Sequence, residues 1–233
     1  MSHFAVFPSA TEAAGHACSK RWEARGYECL VAYDVPENYA PAMAIAVNGG
    51  PHLLWMPKPF KGYYKVINEV VGHAFDLGAD LVTCLGDDMD PDPSHTAGDI
   101  EAMYFEWVPD GFGVLQATGD PQGMDNQGRS AAARICGSPT FGRGWFERAY
   151  GGRGPFHDSY SSYYGDEDLW NVAKLSGVLW QEPKLTIFHK HWSWDHQPQT
   201  EYQKRNSSLH WQTDQQLFFQ RQREGFPGWQ PKA

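Results

Sequence analysis

Asp80-Leu-Val-Thr-Cys-Leu-Gly-Asp-Asp-Met-Asp90 is the stretch whose reading decides the fold. Leu81 to Leu85 forms a short, nearly unbroken apolar run, the pattern of a strand covered on both faces, as parallel strands are. Asp87, Asp88 and Asp90 follow directly at its carboxyl end. In open α/β sheets ligands bind beyond the carboxyl ends of strands, where loops gather polar groups over an apolar scaffold. Hard cations such as Mn2+ or Mg2+ take oxygen ligands, and a D-x-D spacing lets two carboxylates converge on one ion that also binds phosphate. Acidic strand-end loops also occur in phosphatases, kinases and plain surface turns, so the flanking sequence has to decide.

Working outward, the same strand-then-helix unit recurs. Phe4 to Phe7 predicts a strand stopped by Pro8-Ser9, followed by a helix from Ala10 to Arg25 that Gly26 closes. Tyr27 to Tyr33 predicts a second strand ending at Asp34, and His52 to Met56 a third. A helix from Tyr63 to Leu77 leads into the acidic strand. Asp92-Pro93-Ser94 reads as the start of a helix over His95 to Trp107, and Gly111 to Gln116 as a further strand. From Thr118 to Tyr164 the texture turns to Gly, Pro, Ser and aromatics, which predicts long functional loops. A helix from Asp166 to Leu175, strands over Gly177 to Trp180 and Leu185 to Trp192, and a closing helix over Asn206 to Arg223 complete the chain. The expectation is one α/β domain over 1–233 with a mostly parallel central sheet flanked by helices.

Composition narrows the function classes. The chain has 233 residues, 41% hydrophobic and 15% aromatic, enough for one sizeable core. A net charge of −9 gives no general basic footprint for nucleic acid. No stretch approaches the roughly 20 apolar residues of a membrane span, and the first residues lack signal-peptide character, so a cytoplasmic location is expected. Cys18, Cys29, Cys84 and Cys136 form no C-x-x-C pair, which argues against a zinc site or a disulfide framework.

Two further clusters carry chemistry. Gly165-Asp166-Glu167-Asp168 places three carboxylates at a helix start. There they either serve the helix N-terminus or supply a general base toward an acceptor hydroxyl. His189 and His191 are two apart, so on a strand both face one side, and either can ligate a cation or simply pack.

In this order, a strand-end D-x-D, an acidic motif at a helix start and a downstream histidine resemble the GT-A glycosyltransferases of the GT2 type. These are nucleotide-sugar enzymes with a Rossmann-like sheet. The loop texture around Gly119-Asp120 and Cys136 to Gly151 is similar to small members encoded by tailed bacteriophages. The resemblance implies a metal-dependent, inverting glycosyltransferase (EC 2.4 class) with Mn2+ or Mg2+ as cofactor and a nucleotide-sugar donor, a UDP-hexose. It implies that 1–117 binds the nucleotide-sugar, that 118–200 serves the acceptor and catalysis, and that 201–233 is a C-terminal helix and tail. Carried over residue by residue, Asp88 and Asp90 match the metal motif, and Asp87 the acidic position before it. Asp168 matches the catalytic base, with Glu167 contacting acceptor or sugar. His191 or His189 matches the metal histidine. Pro8, Ser9 and Asp34 fall where the family cradles the nucleotide, with Lys58, Lys61 and Gly62 lining the same pocket. Asp87 and Asp92 also allow a shifted register for the metal pair.

Two rivals remain on the residues alone. A sugar nucleotidyltransferase opens with a basic, Gly-rich loop after the first strand, whereas here the loop is Pro8-Ser-Ala-Thr-Glu12. A non-catalytic carbohydrate-binding protein accounts for the ten Trp but leaves the ordered carboxylates unused. The phage resemblance makes modified DNA an acceptor to test, with Arg129, Arg134, Arg143, Arg148 and Arg153 as a local phosphate-binding face.

Overall fold

The computed structural model describes residues 2–35, 44–45, 52–57, 61–120, 133–190 and 201–227. Its strands are β1 (His3–Ser9), β2 (Glu28–Val35), β3 (Ala44–Ile45), β4 (His52–Pro57) and β5 (Leu81–Cys84), then β6 (Met89–Asp90), β7 (Val114–Ala117), β8 (Pro139–Gly142), β9 (Leu179–Glu182) and β10 (Phe188–His189). Its α-helices are α1 (Glu12–Glu23), α2 (Tyr63–Asp76), α3 (Ala97–Trp107), α4 (Arg143–Arg148), α5 (Gly165–Leu175) and α6 (Glu201–Arg223). Eight strands form one sheet in the order β3-β4-β2-β1-β5-β8-β7-β9, and β6 with β10 makes a separate antiparallel ribbon.

The run β4-β2-β1-β5 is parallel, as a strand-helix repeat requires. The central strands bury both faces, and the pleat sorts their side chains into two cores. Phe4, Val6, Leu30, Ala32, Val82 and Cys84 pack beneath α2 and α5. Ala5, Phe7, Cys29, Val31, Leu81 and Leu85 pack beneath α1 and α3. Helix α1 turns Gly15, Cys18, Ser19 and Trp22 inward, a spacing that forms one helical stripe. Trp22 carries that contact onward, because its indole N–H donates to the Met89 carbonyl at 3.1 Å and so fixes the β6 ribbon.

The structure departs from the sequence reading in several places. The segment expected as loop holds β8 and α4, and its Phe141, Trp145, Tyr150, Phe156 and Tyr160 are buried core residues. Strand β8 runs antiparallel between β5 and β7, so the sheet changes direction there. Helix α3 starts later than expected, at Ala97, after the N-cap Thr96, whose hydroxyl and backbone exchange hydrogen bonds with Asp99 in a capping box. Asp92 is buried instead, with its carboxylate engaged inside the fold. Its carboxylate accepts from the N–H groups of Ser94 (2.6 Å), His95 (2.9 Å) and Thr186 (2.7 Å) and from the His95 ring at 3.0 Å. Burial alone raises this carboxyl's pKa, but those donors more than reverse it, so it lies below the ordinary value. Finally, among the described residues of the expected last strand only Phe188 and His189 pair, and they pair with β6 rather than with the main sheet.

Candidate functional site

A cavity of about 310 Å³ opens at the carboxyl end of β5. Four separate segments wall it: Gly86, Asp88 and Met89 after β5, Tyr63 and Tyr64 at the start of α2, Ser162, Tyr163 and Asp166 around the start of α5, and His189 on β10. Ile135, Cys136, Gly137 and Phe156 close the rest. All three motifs singled out in the sequence therefore contribute to one cavity.

Asp88 and His189 face each other across the β6–β10 ribbon, His189 Nε2 lying 3.3 Å from Asp88 Oδ2. The ribbon register sets this pair, since His189 is opposite Met89 and the Lys190 N–H donates to the Asp88 carbonyl at 3.0 Å. Asp90 takes another path. Its carboxylate lies 2.5 Å from Arg21 of α1 and 2.5 Å from Lys190, so it ties the ribbon to α1 and does not line the cavity. The two ends of the D-x-D spacing are not drawn to one point here, because Asp88 precedes the two-residue strand that carries Asp90. A carboxylate beside an imidazole suits a hard divalent cation whose other positions are filled by phosphate oxygens. Asp88 and His189 fit that role and Asp90 does not. Among the described residues no group of three or more His, Cys, Asp or Glu side chains converges on one point. His191 and Lys58 lie outside the described residues, as do the side chain of Asp34 and all of Arg129.

Ser9 and Asp87 lie together, the Ser9 hydroxyl donating to Asp87 Oδ2 at 2.6 Å. Burial, then the charge of Asp88, holds the Asp87 carboxyl above its ordinary value despite the serine hydrogen bond. Pro8, partly buried beside Ser9, sits at the same end of β1. Lys61 is exposed and pairs with Glu69 at 3.7 Å. Gly62 acts through its backbone, heading α2 at φ 100, and a Cβ there would lie 2.3 Å from the Ser161 carbonyl oxygen.

The three carboxylates at the start of α5 have distinct fates. Asp168 is wholly buried. Its Oδ1 accepts from the Tyr150 hydroxyl (2.9 Å) and Arg221 Nη2 (3.2 Å), and its Oδ2 from the Tyr160 hydroxyl (3.1 Å) and Arg221 Nε (2.6 Å). Four donors fill a carboxylate's capacity, so this side chain has nothing left to take a proton from an acceptor. The base expected at Asp168 is therefore corrected. The register was readable, because Asp168 shares its helical stripe with Leu169, Val172 and Ala173, all buried.

Asp166, two positions earlier and on the other side of the helix, faces the cavity. Its Oδ1 accepts from the Tyr64 hydroxyl at 2.9 Å and the Glu167 N–H at 3.0 Å, while Oδ2 has no hydrogen-bond partner among the described residues. Burial raises its pKa, opposed by the tyrosine hydroxyl, the local backbone N–H groups and the charge of His189. Glu167, half-buried, is pushed up to about 7, by burial first and then by repulsion from Asp166. It does not line the cavity.

Of the arginines expected to form a phosphate-binding face, three have partners within the fold. Arg143 donates to the Phe75 carbonyl at 2.6 Å, Arg148 pairs with Asp110 at 2.9 Å over the Phe112 ring, and Arg153 pairs with Asp158 at 3.0 Å. The positive charge of Arg134 acts on Glu167. Among the described residues no helix is long and apolar enough to cross a membrane.

No protein-family model matches this chain, and no curated protein sequence matches it. Solved structures similar in fold include A197 from STIV, at 11% identity and TM-score 0.48, with 82% of this chain and 86% of that one covered. A glycosyltransferase involved in glycosylation of the major capsid of PBCV-1 is similar at 10% identity and TM-score 0.35, over 63% and 62%. A Bacillus anthracis protein solved with a sucrose, and named as a candidate glucose-1-phosphate thymidylyltransferase, is similar at 10% identity and TM-score 0.43, over 93% and 95%. At such identities and scores, what this chain does has to be argued from its own site.

Proposed function

We propose that this chain is a glycosyltransferase that moves a hexose from a UDP-sugar to an acceptor hydroxyl, with inversion and with Asp166 as the general base. The observation that carries the reading is that Asp166 Oδ2, with no partner among the described residues, and the Asp88–His189 pair belong to one cavity. Such a cavity can hold the two ends of a transfer reaction, a proton acceptor on one wall and a diphosphate-side group on another.

The cavity is at the small end of the roughly 300 to 1,000 Å³ found for ligand pockets, suited to a monosaccharide-sized group. The nucleotide then lies outside it, toward Ser9 and Asp87 at the ends of β1 and β5. Tyr63 and Tyr163, partly exposed on the cavity wall, offer aromatic surface to the apolar face of a sugar ring. In the transfer, the acceptor oxygen bonds to the anomeric carbon, its proton passes to Asp166 Oδ2, and the bond to the diphosphate oxygen breaks with its electron pair leaving on UDP. A carboxylate whose pKa is raised by burial is a better proton acceptor than one in water. Asp88 and His189 would hold a Mn2+ or Mg2+ ion, whose positive charge would stabilise the departing diphosphate.

A donor screen reading UDP or GDP release, with Mn2+ or Mg2+, tests this across glycan, small-molecule and hydroxymethylated-DNA acceptors and without acceptor. Asp166→Asn is expected to keep donor binding and lose at least about 100-fold in transfer, the contribution of a positioned general base. Transfer by Asp166→Asn at the wild-type rate removes the base assignment. Absence of nucleotide release with every donor removes the reaction.

A further inference from the structure

None of the described residues of the closing helix α6 lines the cavity, yet the helix holds the structure that does. Its buried Asp214 accepts from three consecutive backbone N–H groups, those of Ser161 (3.1 Å), Ser162 (2.9 Å) and Tyr163 (2.9 Å). Ser162 and Tyr163 are cavity wall. One residue on, Gln215 donates to the Tyr164 hydroxyl at 2.8 Å, and the Trp211 and Phe218 rings lie 5.3 Å from that of Tyr164. Further along the helix, the buried Arg221 grips Asp168.

Tyr164 is the residue before α5, and its backbone is left-handed at φ 63, a conformation that a side chain bigger than glycine rarely adopts. Helix α5 has no side-chain cap there. The direction in which α5 leaves, and so where Asp166 points, depends on a turn that its own sequence does not favour. From the opposite side Gly62 approaches the Ser161 carbonyl, and the Tyr64 N–H donates to that oxygen at 3.1 Å. The wall is thus clamped between α2 and α6.

We propose that α6 is a positioning element of the site, with Asp214 as its principal positioning residue. Asp214 fixes the 161–163 wall and the left-handed turn at Tyr164, and through them the placement of Asp166 over the cavity. The inference rests on the transfer reaction proposed above, and it identifies a residue remote in sequence from every recognised motif on which that reaction depends.

Asp214→Asn is the informative variant, because it is nearly isosteric and strands no buried charge, while its amide presents N–H groups to backbone donors. The measurements are kcat and KM for a UDP-hexose with its acceptor, and backbone hydrogen exchange across the whole chain. The expected result is a folded protein whose kcat falls on the order of tenfold, the loss of one charge-assisted hydrogen bond, with KM for the UDP-hexose unchanged. Exchange is expected to accelerate on the order of tenfold at 161–167 and to stay as in the wild type in β1, β2 and β5. Asp214→Glu, which restores the carboxylate, is expected to recover part of both. Exchange that rises uniformly over the chain, or stays unchanged at 161–167, overturns the proposal, as does a kcat equal to the wild type's. Should the wild-type protein release no UDP from any donor, the transfer reading falls, and the exchange pattern alone still decides whether α6 positions the wall.

Discussion

Removing Arg221 should unfold this protein far more readily than removing any surface ion pair, and the reason lies in what remains behind. Arg221 and Asp168 have side chains 5% and 0% exposed, and they meet through two nitrogen–oxygen contacts of 2.6 and 3.2 Å. The pair joins α6 to α5, with the Tyr150 and Tyr160 hydroxyls completing the carboxylate's shell. In Arg221→Met the aliphatic bulk is largely kept, but Asp168 stays buried with only two neutral donors. Breaking a buried pair from one side costs about 3 to 5 kcal/mol, against roughly 5 to 15 kcal/mol of total stability for a domain. For a chain of this length about 2 to 4 °C is lost per kcal/mol, so the melting temperature should fall by roughly 6 to 20 °C. The second arm is Asp168→Asn with Arg221→Met, in which the stranded charge is gone and the amide oxygen can still accept from a tyrosine. It should regain at least about 1.5 kcal/mol over Arg221→Met in urea unfolding, a coupling of the size expected for contacting residues. A single variant that loses less than about 1 kcal/mol, or a double variant as unstable as the single, would refute the idea that a stranded charge dominates.

Further expectations follow from individual contacts. Glu167, held near 7 in the folded protein against an ordinary 4.5, binds more protons folded than unfolded between those values. Stability therefore falls as pH rises from about 4.5 through 7, and Glu167→Gln should match the wild type near pH 4 and exceed it at pH 8 in denaturant titrations. Gly62→Ala forces a side chain onto φ 100 and a Cβ onto the Ser161 carbonyl, so a loss of about 2 kcal/mol or more is expected by thermal melting. Thr96→Ala removes the capping box of α3 and should cost about 1 kcal/mol, measured in the same melts. Asp88→Asn should abolish any Mn2+ dependence of UDP-sugar binding in calorimetry, whereas Asp90→Asn should lower stability and leave that dependence in place.

The architecture was legible where one signal dominated. Apolar runs at Phe4, Tyr27 and Leu81 predicted strands of a mostly parallel sheet, and the three stand side by side in it, because strands buried on both faces can be built from little else. Strand β8 was hidden for the opposite reason. With four residues, proline first and glycine last, it has no periodicity to detect, and it is a strand because β5 and β7 offer edges on either side. The glycine and aromatic texture around it has the composition of a loop, yet many of those aromatics are core and the glycines accommodate close backbone approach, as at Gly142, where a Cβ would stand 2.8 Å from Gly111 Cα.

The site was legible as a set of motifs and not as a set of atoms. Both acidic motifs carry more carboxylates than face the cavity, and one in each is taken up by cations elsewhere in the fold. Asp88 faces the cavity and Asp90 binds Arg21 and Lys190; Asp166 faces it and Asp168 binds Arg221. In both cases the partner that captures the surplus carboxylate lies far away in sequence, so no local pattern announces it. The apolar stripe of α5 did separate Asp166 from Asp168, since a carboxylate in register with Leu169 and Val172 needs a buried cation to accompany it. Helix α6 supplies that cation, and the same helix supplies Asp214 to the wall beside Asp166. The acid that is lost to catalysis at 168 is thus part of what holds the acid at 166 in place.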